Sequence, residues 1–129
     1  MRILLDTQCW LWMLASPERF STDARARLTA AENELFLSVA SAWEIVIKHA
    51  LGKLGLPVEP GEYVPSRLAA SRVTPLPIHL SHALQVGKLP RHHHDPFDRL
   101  LIAQAKVEGL VILTADPQFG PYDVETVSA

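Results

Sequence analysis

Short, almost wholly apolar segments alternate with helix-like segments along the chain, and this alternation constrains the fold more than any other feature. The segments RILL (2–5), ELFLSV (34–39) and LVILTAD (110–116) carry continuous apolar stretches rather than an apolar–polar alternation. Strands of this kind are buried on both faces, as in parallel sheets covered by helices. The pattern predicts an α/β protein, a three-layer α/β/α sandwich with a central, mainly parallel sheet.

The remaining segments complete this arrangement. Weaker strands are predicted in VTPLPI (73–78) and YDVETV (122–127), and the segment KLGLPVEPG (53–61) is a predicted loop. Helices are predicted for residues 10–15, for about 40–51 and for 96–108. A further helix is predicted through DARARLTAAE (23–32), capped by Ser21 or Thr22, and one short helix each within EYVPSRLAASR (62–72) and LSHALQVGKLP (80–90). Since no repeat or linker interrupts the pattern, we expect one domain over residues 1–129.

Charge and cysteine content exclude several classes of protein. Twelve basic against fourteen acidic side chains give a net charge of −2, which leaves no overall electrostatic footprint for wrapping duplex DNA. The single cysteine, Cys9, cannot form an internal disulfide, so we expect a reducing cytoplasm. The start of the chain is similar to a signal peptide, but Asp6 and Gln8 interrupt its apolar run, which favours folded structure. No segment is long and apolar enough to predict a membrane span.

Four acidic residues are predicted to meet at one edge of the sheet. Asp6 directly follows the first strand, and Asp116 follows the core of LVILT. Sites in open parallel sheets form beyond the carboxyl ends of the strands, near the point where strand order reverses. Glu44 lies early in the helix that leaves the second strand. Asp98, in the first turn of the long helix, reaches the same edge only if that helix begins over the rim of the sheet.

Each acid also has a purely structural interpretation, and the residues alone leave both open. Asp6 and Asp116 follow strands, where aspartate often starts a turn. Asp95 precedes a proline at a predicted helix start and is an excellent N-cap. Glu44 stands three residues after a serine, as in a capping box, or can pair with Lys48 one turn later.

Helical periodicity favours a shared site. Asp98 shares a helix face with Ile102, and Glu44 shares one with Ile47, so both acids are expected to point inward. Two such carboxylates 4 Å apart repel each other by about 4 kcal/mol at an effective dielectric of about 20. They must bind protons or recruit a cation, and oxygen ligands suit Mg²⁺ or Mn²⁺ rather than zinc. Such a cluster can activate water for phosphodiester hydrolysis.

The motifs LLDT, SVASAWEIVIK, HHHDPFDRLLIAQA and VILTADPQF resemble, in order and spacing, those of the PIN-domain ribonucleases, in particular the VapC-type toxins of toxin–antitoxin pairs. The resemblance covers essentially the whole chain and implies a PIN-like fold. It implies hydrolysis of RNA with Mg²⁺ or Mn²⁺, a cognate VapB-type antitoxin and a homodimer.

The resemblance also assigns roles to individual residues. The acids that it places around the metal are Asp6, Glu44, Asp98 and Asp116, with Glu44 binding directly or through water. The small hydroxyl residue near the last acid corresponds to Thr114, and Thr7 follows the first. Asp95 is an additional acid, and its contact with metal stays open.

The run His92–His94 has no single interpretation. Adjacent residues cannot all point one way, and a zinc site would need further cysteine or histidine partners. The run is either a solvated loop or part of an RNA contact with Arg91 and Arg99, which flank the acids, and with Lys48.

Three other functions compete with an RNA nuclease. A receiver-like signalling domain would need paired acids after the first strand, an acceptor aspartate after the third and a lysine after the fifth, and this chain has none of these features. A catalytically inactive interaction module would use exposed aromatic residues such as Trp10, Trp12 or Tyr63. A DNA nuclease would share the metal chemistry, since no residue identifies a reader of the 2′-hydroxyl.

Overall fold

The computed structural model describes all 129 residues, which form five strands and six α-helices. The strands are β1 (Arg2–Leu5), β2 (Glu34–Ser38), β3 (Val73–Leu76), β4 (Val111–Thr114) and β5 (Thr126–Ser128). The helices are α1 (Thr7–Ala15), α2 (Thr22–Thr29), α3 (Val39–Ala50), α4 (Pro60–Ser71), α5 (Leu80–Val86) and α6 (Pro96–Glu108). Single turns of 3₁₀ helix cover Pro17–Arg19 and Pro117–Phe119. None of the helices has the length and apolar character required to cross a membrane.

All five strands belong to one parallel sheet with the order β3-β2-β1-β4-β5. The central strand β1 pairs on both sides, so that Leu5 lies opposite Leu37 of β2 and Leu113 of β4. The chain builds outward from β1 to β3 and then returns to the other side of β1. Strand order therefore reverses between β1 and β4, where sites of open parallel sheets form.

Apolar side chains cover both faces of the sheet and confirm the predicted three layers. Ile3 and Leu5 face a core built with α1 to α4, whereas Leu4 faces a second core built with α6. Both cores contain fully buried side chains, including Trp10 on one face and Ile102 on the other. Each such side chain contributes roughly 1.5–3 kcal/mol through burial, which explains why the strands are apolar throughout.

Several element boundaries differ from the prediction. Helix α2 ends at Thr29 rather than at residue 32, and β3 ends at Leu76 rather than at residue 78. Helix α4 begins at Pro60, inside the predicted loop 53–61, because proline suits the first turn of a helix.

The start of α1 and the last strand differ as well. Helix α1 begins at Thr7 rather than at residue 10, because the Asp6 side chain accepts a hydrogen bond from the backbone N of Cys9 (2.6 Å) and caps the helix. The final strand covers only Thr126–Ser128 rather than YDVETV. Tyr122 turns inward and is 4% exposed, so the start of that segment packs into the core instead of pairing.

The aromatic residues suggested for an interaction surface are mostly core residues. Trp10 and Tyr63 are buried and Trp12 is half-buried, so the first two cannot serve an interface. The exposed aromatic side chain is Trp43 on α3, which is 59% exposed.

Candidate metal centre

A cleft of about 590 Å³ opens over the carboxyl ends of β1 and β4, at the point where strand order reverses. The two strands are held together there by a hydrogen bond from the backbone N of Asp6 to the carbonyl of Leu113 (3.1 Å). The acidic side chains that line the cleft are Asp6, Glu44, Asp95, Asp98 and Asp116. The structure therefore brings together all four acids that the sequence predicts, and Asp95 with them.

Asp6 serves as a helix cap and as part of the cleft at the same time. Its Oδ1 accepts from the backbone N of Cys9 (2.6 Å), and its Oδ2 accepts from the hydroxyl of Thr114. The Thr114 Oγ1 in turn accepts from the backbone N of Asp116 (3.0 Å). Burial raises the pKa of Asp6, and the hydrogen bonds from Thr114 and Cys9 oppose that rise. Thr114 thus links the acid at the end of β1 to the acid that follows β4.

Glu44 is buried on α3 and faces the cleft. The capping-box interpretation is wrong, because Ser38 caps the helix, which places Glu44 beyond its first turn. Instead, the hydroxyl of Thr7 lies 2.7 Å from Glu44 Oε1 and 2.8 Å from Ser41 Oγ. The pairing with Lys48 is confirmed, with 2.7 Å between Nζ and Glu44 Oε2, and it raises the pKa of the lysine.

The start of α6 extends over the rim of the sheet and brings two acids into the cleft. Asp95 is the N-cap, as its sequence position predicts, and its Oδ1 accepts from the backbone N of Phe97 (2.8 Å) and of Asp98 (3.2 Å). The pKa of Asp98 is raised to about 7, first by burial and then by the nearby charge of Asp95, while His93 opposes the rise and Glu44 adds to it.

One of the three consecutive histidines lies among the acids. His93 is 8% exposed, and its Nε2 lies 2.8 Å from Asp98 Oδ2 and 3.6 Å from Asp116 Oδ2. Its neighbours His92 and His94 are exposed. The solvated-loop interpretation is therefore wrong for the middle residue of the run and fits only the outer two.

The basic residues predicted to contact RNA have different environments. Arg99 uses its guanidinium within the fold, because its two terminal nitrogens donate to the carbonyls of Pro90 (2.8 Å) and Val86 (3.1 Å) and to the hydroxyl of Tyr122 (3.2 Å). Arg91 is exposed. Lys48 lies in the cleft, and half of its side chain is exposed. Arg91 and Lys48 are therefore exposed as an RNA contact requires, whereas the half-buried Arg99 already uses its guanidinium within the fold.

The donor set of the cleft fits a divalent cation. Five carboxylates face two lysines, Lys48 and Lys53, so negative charge is in excess. Burial raises the pKa of both Asp6 and Asp98, so their ionised forms are costly in the folded chain unless a cation lies nearby. On one side of the cleft, donor atoms of His93, Asp98 and Asp116 lie within 4.8 Å of one another. Carboxylate-rich sites of this kind suit Mg²⁺ or Mn²⁺.

His93, Ser41 and Tyr122 contribute contacts at the site that the sequence pattern did not assign to them. A partial signal existed for His93, because three adjacent residues cannot all point the same way, but the sequence did not indicate which of the three histidines turns inward. The hydroxyl of Ser41 contacts Thr7, 34 residues away, and the hydroxyl of Tyr122 contacts His93, 29 residues away. No local sequence pattern predicts such contacts.

Comparisons with known proteins agree with this geometry. The family model of the PIN domain matches residues 3–124. Over 60 residues the chain is 40% identical to Ribonuclease VapC16 of Mycobacterium tuberculosis, an alignment that spans 46% of this chain and 43% of that protein. The chain thus covers less than half the length of this relative.

Solved structures show the same fold at lower identity. VapBC2 from Rickettsia felis, bound to a promoter DNA fragment, matches with a TM-score of 0.73 and 17% identity, over 99% of this chain and 98% of that one. VapBC-1 from nontypeable Haemophilus influenzae matches with a TM-score of 0.67 and 19% identity over the same shares of the two chains. FitAcB from Neisseria gonorrhoeae matches with a TM-score of 0.63 and 23% identity, over 96% and 95%. Since the PIN model covers nearly the whole sequence, the chain belongs to the PIN domain family.

Proposed function

We propose that this protein is a metal-dependent endoribonuclease that acts as the toxin of a toxin–antitoxin pair. The observation that carries the proposal is the convergence of Asp6, Glu44, Asp98 and Asp116 in one cleft at the strand-order reversal. Membership of the PIN family and the partial match to a protein described as a ribonuclease support the assignment.

The proposed ligands of the cation are Asp6, Asp98 and Asp116, with Glu44 binding directly or through water. When bound, Mg²⁺ or Mn²⁺ supplies a water of lowered pKa and stabilises the charge that develops on the phosphodiester oxygens. Both cations remain candidates, because the oxygen-rich donor set suits either.

The other side chains of the cleft hold these carboxylates in place. Thr114 donates to Asp6 Oδ2, and the backbone N of Cys9 donates to Asp6 Oδ1. Thr7 donates to Glu44 Oε1, and Lys48 Nζ pairs with Glu44 Oε2. Lys48 balances part of the charge of Glu44 and stands at the opening, where it is placed to meet a phosphate. Because these contacts exist in the folded chain, the ligands are held in position before any ion binds.

Cleavage of an RNA mixture by antitoxin-free protein tests the proposal. We expect cleavage with Mg²⁺ or Mn²⁺, and loss of cleavage both with EDTA and in Asp6→Asn. Asp123→Asn changes an exposed aspartate outside the cleft and is the matched control. Cleavage of single-stranded DNA with equal efficiency would identify a general nuclease. Cleavage that survives EDTA or Asp6→Asn would contradict the proposed site.

We also propose a VapB-type antitoxin as the partner that blocks the cleft. The structures with the same fold include complexes described as VapBC and as a toxin–antitoxin complex, which supports this class of partner. We expect the gene of this chain to have a neighbouring gene for a small protein, and we expect that protein to bind this chain and suppress cleavage. If a neighbouring protein of this type binds without reducing cleavage, it is not an antitoxin that acts on the cleft.

Several further assignments belong to the same proposal. We expect residues 1–129 to act as one nuclease domain, because a single sheet contains every strand, and we expect a cytoplasmic protein, since Cys9 is a free buried thiol. A homodimer would give a partner to the exposed apolar residues Val39, Trp43 and Val46 of α3. Light scattering of the purified protein, with Trp43→Ser for comparison, tests the dimer.

A further inference from the structure

The imidazole of His93 lies between two of the proposed metal ligands. Its Nε2 is 2.8 Å from Asp98 Oδ2 and 3.6 Å from Asp116 Oδ2, and the residue is 8% exposed. Asp98 belongs to α6 and Asp116 follows β4, so the ring bridges two elements that meet at the cleft. An imidazole in this place can either donate a hydrogen bond to the acids or bind the cation itself.

The other ring nitrogen distinguishes these two roles. The backbone N of Asp95 points at His93 Nδ1 from 3.4 Å, so Nδ1 is an acceptor. In a neutral imidazole one nitrogen carries the proton and the other accepts, which leaves the proton on Nε2. Nε2 therefore donates to Asp98, and its lone pair is not available to a cation.

Contacts from distant parts of the chain fix the ring in this position. The backbone N of His93 donates to the hydroxyl of Tyr122 (2.7 Å), which also receives a hydrogen bond from Arg99 (3.2 Å). The rings of His93 and Phe119 pack in a T-shaped arrangement, with 6.0 Å between centroids. The neighbouring His94 is exposed and has none of these contacts.

We propose that His93 is a positioning residue, whose Nε2–H holds Asp98 and keeps it aimed with Asp116 at the shared cleft. This inference rests on the proposed function, since it assigns His93 a role in the same metal centre. The role resembles that of groups outside the ligand shell in other metalloproteins, which orient the ligands by hydrogen bonding.

Mn²⁺ titration of the full chain tests this role without relying on activity. Loss of such an orienting partner typically weakens metal binding by about 10–100-fold, so we expect a weakening of this order in His93→Ala. In His93→Gln the side-chain amide can donate from nearly the same place as Nε2, and we expect most of the affinity to return. His94→Ala removes an exposed neighbour and is expected to leave the affinity unchanged.

Pulsed electron paramagnetic resonance of the Mn²⁺-loaded wild-type protein separates positioning from direct ligation. We expect no modulation from a coordinated imidazole nitrogen. Such modulation would overturn the inference, because it would make His93 a ligand. This spectrum decides the question even if His93→Ala fails to fold. An unchanged Mn²⁺ affinity in a folded His93→Ala would overturn it as well.

Two further variants distinguish failure of this inference from failure of the proposed function. Asp6→Asn and Asp98→Asn remove proposed ligands and are expected to abolish tight Mn²⁺ binding. If they do so while His93→Ala binds normally, only the role of His93 is refuted. If both bind Mn²⁺ as the wild-type protein does, the shared metal centre itself is absent.

Discussion

Replacing Asp98 by Asn is expected to stabilise the metal-free protein at neutral and alkaline pH. Burial and the charge of Asp95 raise the pKa of Asp98 from 3.8 to about 7. The ionised form is therefore disfavoured in the folded chain, where the carboxyl is 19% exposed. Each pKa unit corresponds to about 1.4 kcal/mol, so the ionised carboxylate costs the folded state up to about 4 kcal/mol.

The pH dependence has a definite sign. Below about pH 4 the carboxyl is protonated in the folded and the unfolded chain, and Asp98 costs nothing. Between pH 4 and 7 the unfolded chain loses this proton while the folded chain keeps it, so stability falls as the pH rises. Above pH 7 the full cost is present. Asp98→Asn lacks the titrating group and should not show this component.

Urea unfolding in EDTA, followed by tryptophan fluorescence between pH 4 and 8, measures the effect. We expect wild-type protein and Asp98→Asn to be nearly equal at pH 4, and the variant to be the more stable by a few kcal/mol at pH 8. Asp123→Asn, at an exposed position, should follow the wild-type curve. A variant less stable than wild type at pH 8 would refute the reasoning. The attraction between Asp98 and His93 would then outweigh the cost of burial and the repulsion from Asp95. Adding Mn²⁺ should reverse the order, since only the wild-type protein then binds the ion tightly.

Three further predictions test individual contacts. Thr114→Val removes the hydrogen bond to Asp6 and should lower the free energy of unfolding by about 1.5–3 kcal/mol and weaken Mn²⁺ binding. Thr114→Ser keeps the hydroxyl and should retain both stability and Mn²⁺ affinity. Urea unfolding and metal titration measure the two effects. Lys48→Met should weaken RNA binding, measured by fluorescence anisotropy. It should also reduce the slope of log binding constant against log salt concentration by about 0.7, the value for one phosphate contact. An unchanged slope would exclude a phosphate contact. Arg99→Ala should lower the melting temperature, because the guanidinium donates to four acceptors within the fold. Arg91→Ala should weaken RNA binding and leave the melting temperature unchanged, because its side chain is exposed. The opposite pattern would reverse the two roles.

The parts of the fold that depend on local chemistry could be predicted from the sequence. Helix α6 was predicted with both of its ends, because Pro96 suits the first helical position and Gly109 adopts the left-handed conformation (φ 67°) that ends the helix. The apolar runs identified β1 and β4, and strand-end topology placed Asp6 and Asp116 at one edge. These features follow from residues close together in sequence.

Features that depend on contacts between distant residues could not be predicted in this way. The buried His93 donates its backbone N–H to the hydroxyl of Tyr122, 29 residues later. The guanidinium of Arg99 donates to the carbonyl of Pro90, and only the folded chain brings these two groups together. The same inward turn of Tyr122 shortens the last strand. The cap and site interpretations of these acids do not exclude each other, because Asp6 and Asp95 line the cleft while they cap helices.

Anomalous scattering from crystals soaked in MnCl₂ tests most directly whether the acids form one metal centre. The account predicts a manganese peak in the cleft, within ligand distance of carboxylate oxygens from Asp6, Asp98 and Asp116, with Glu44 bound directly or through water. The peak should disappear in Asp6→Asn crystals. A well-ordered cleft without manganese at saturating concentration, or a peak that persists without Asp6, would contradict the shared metal centre and leave these carboxylates as helix caps and turn residues.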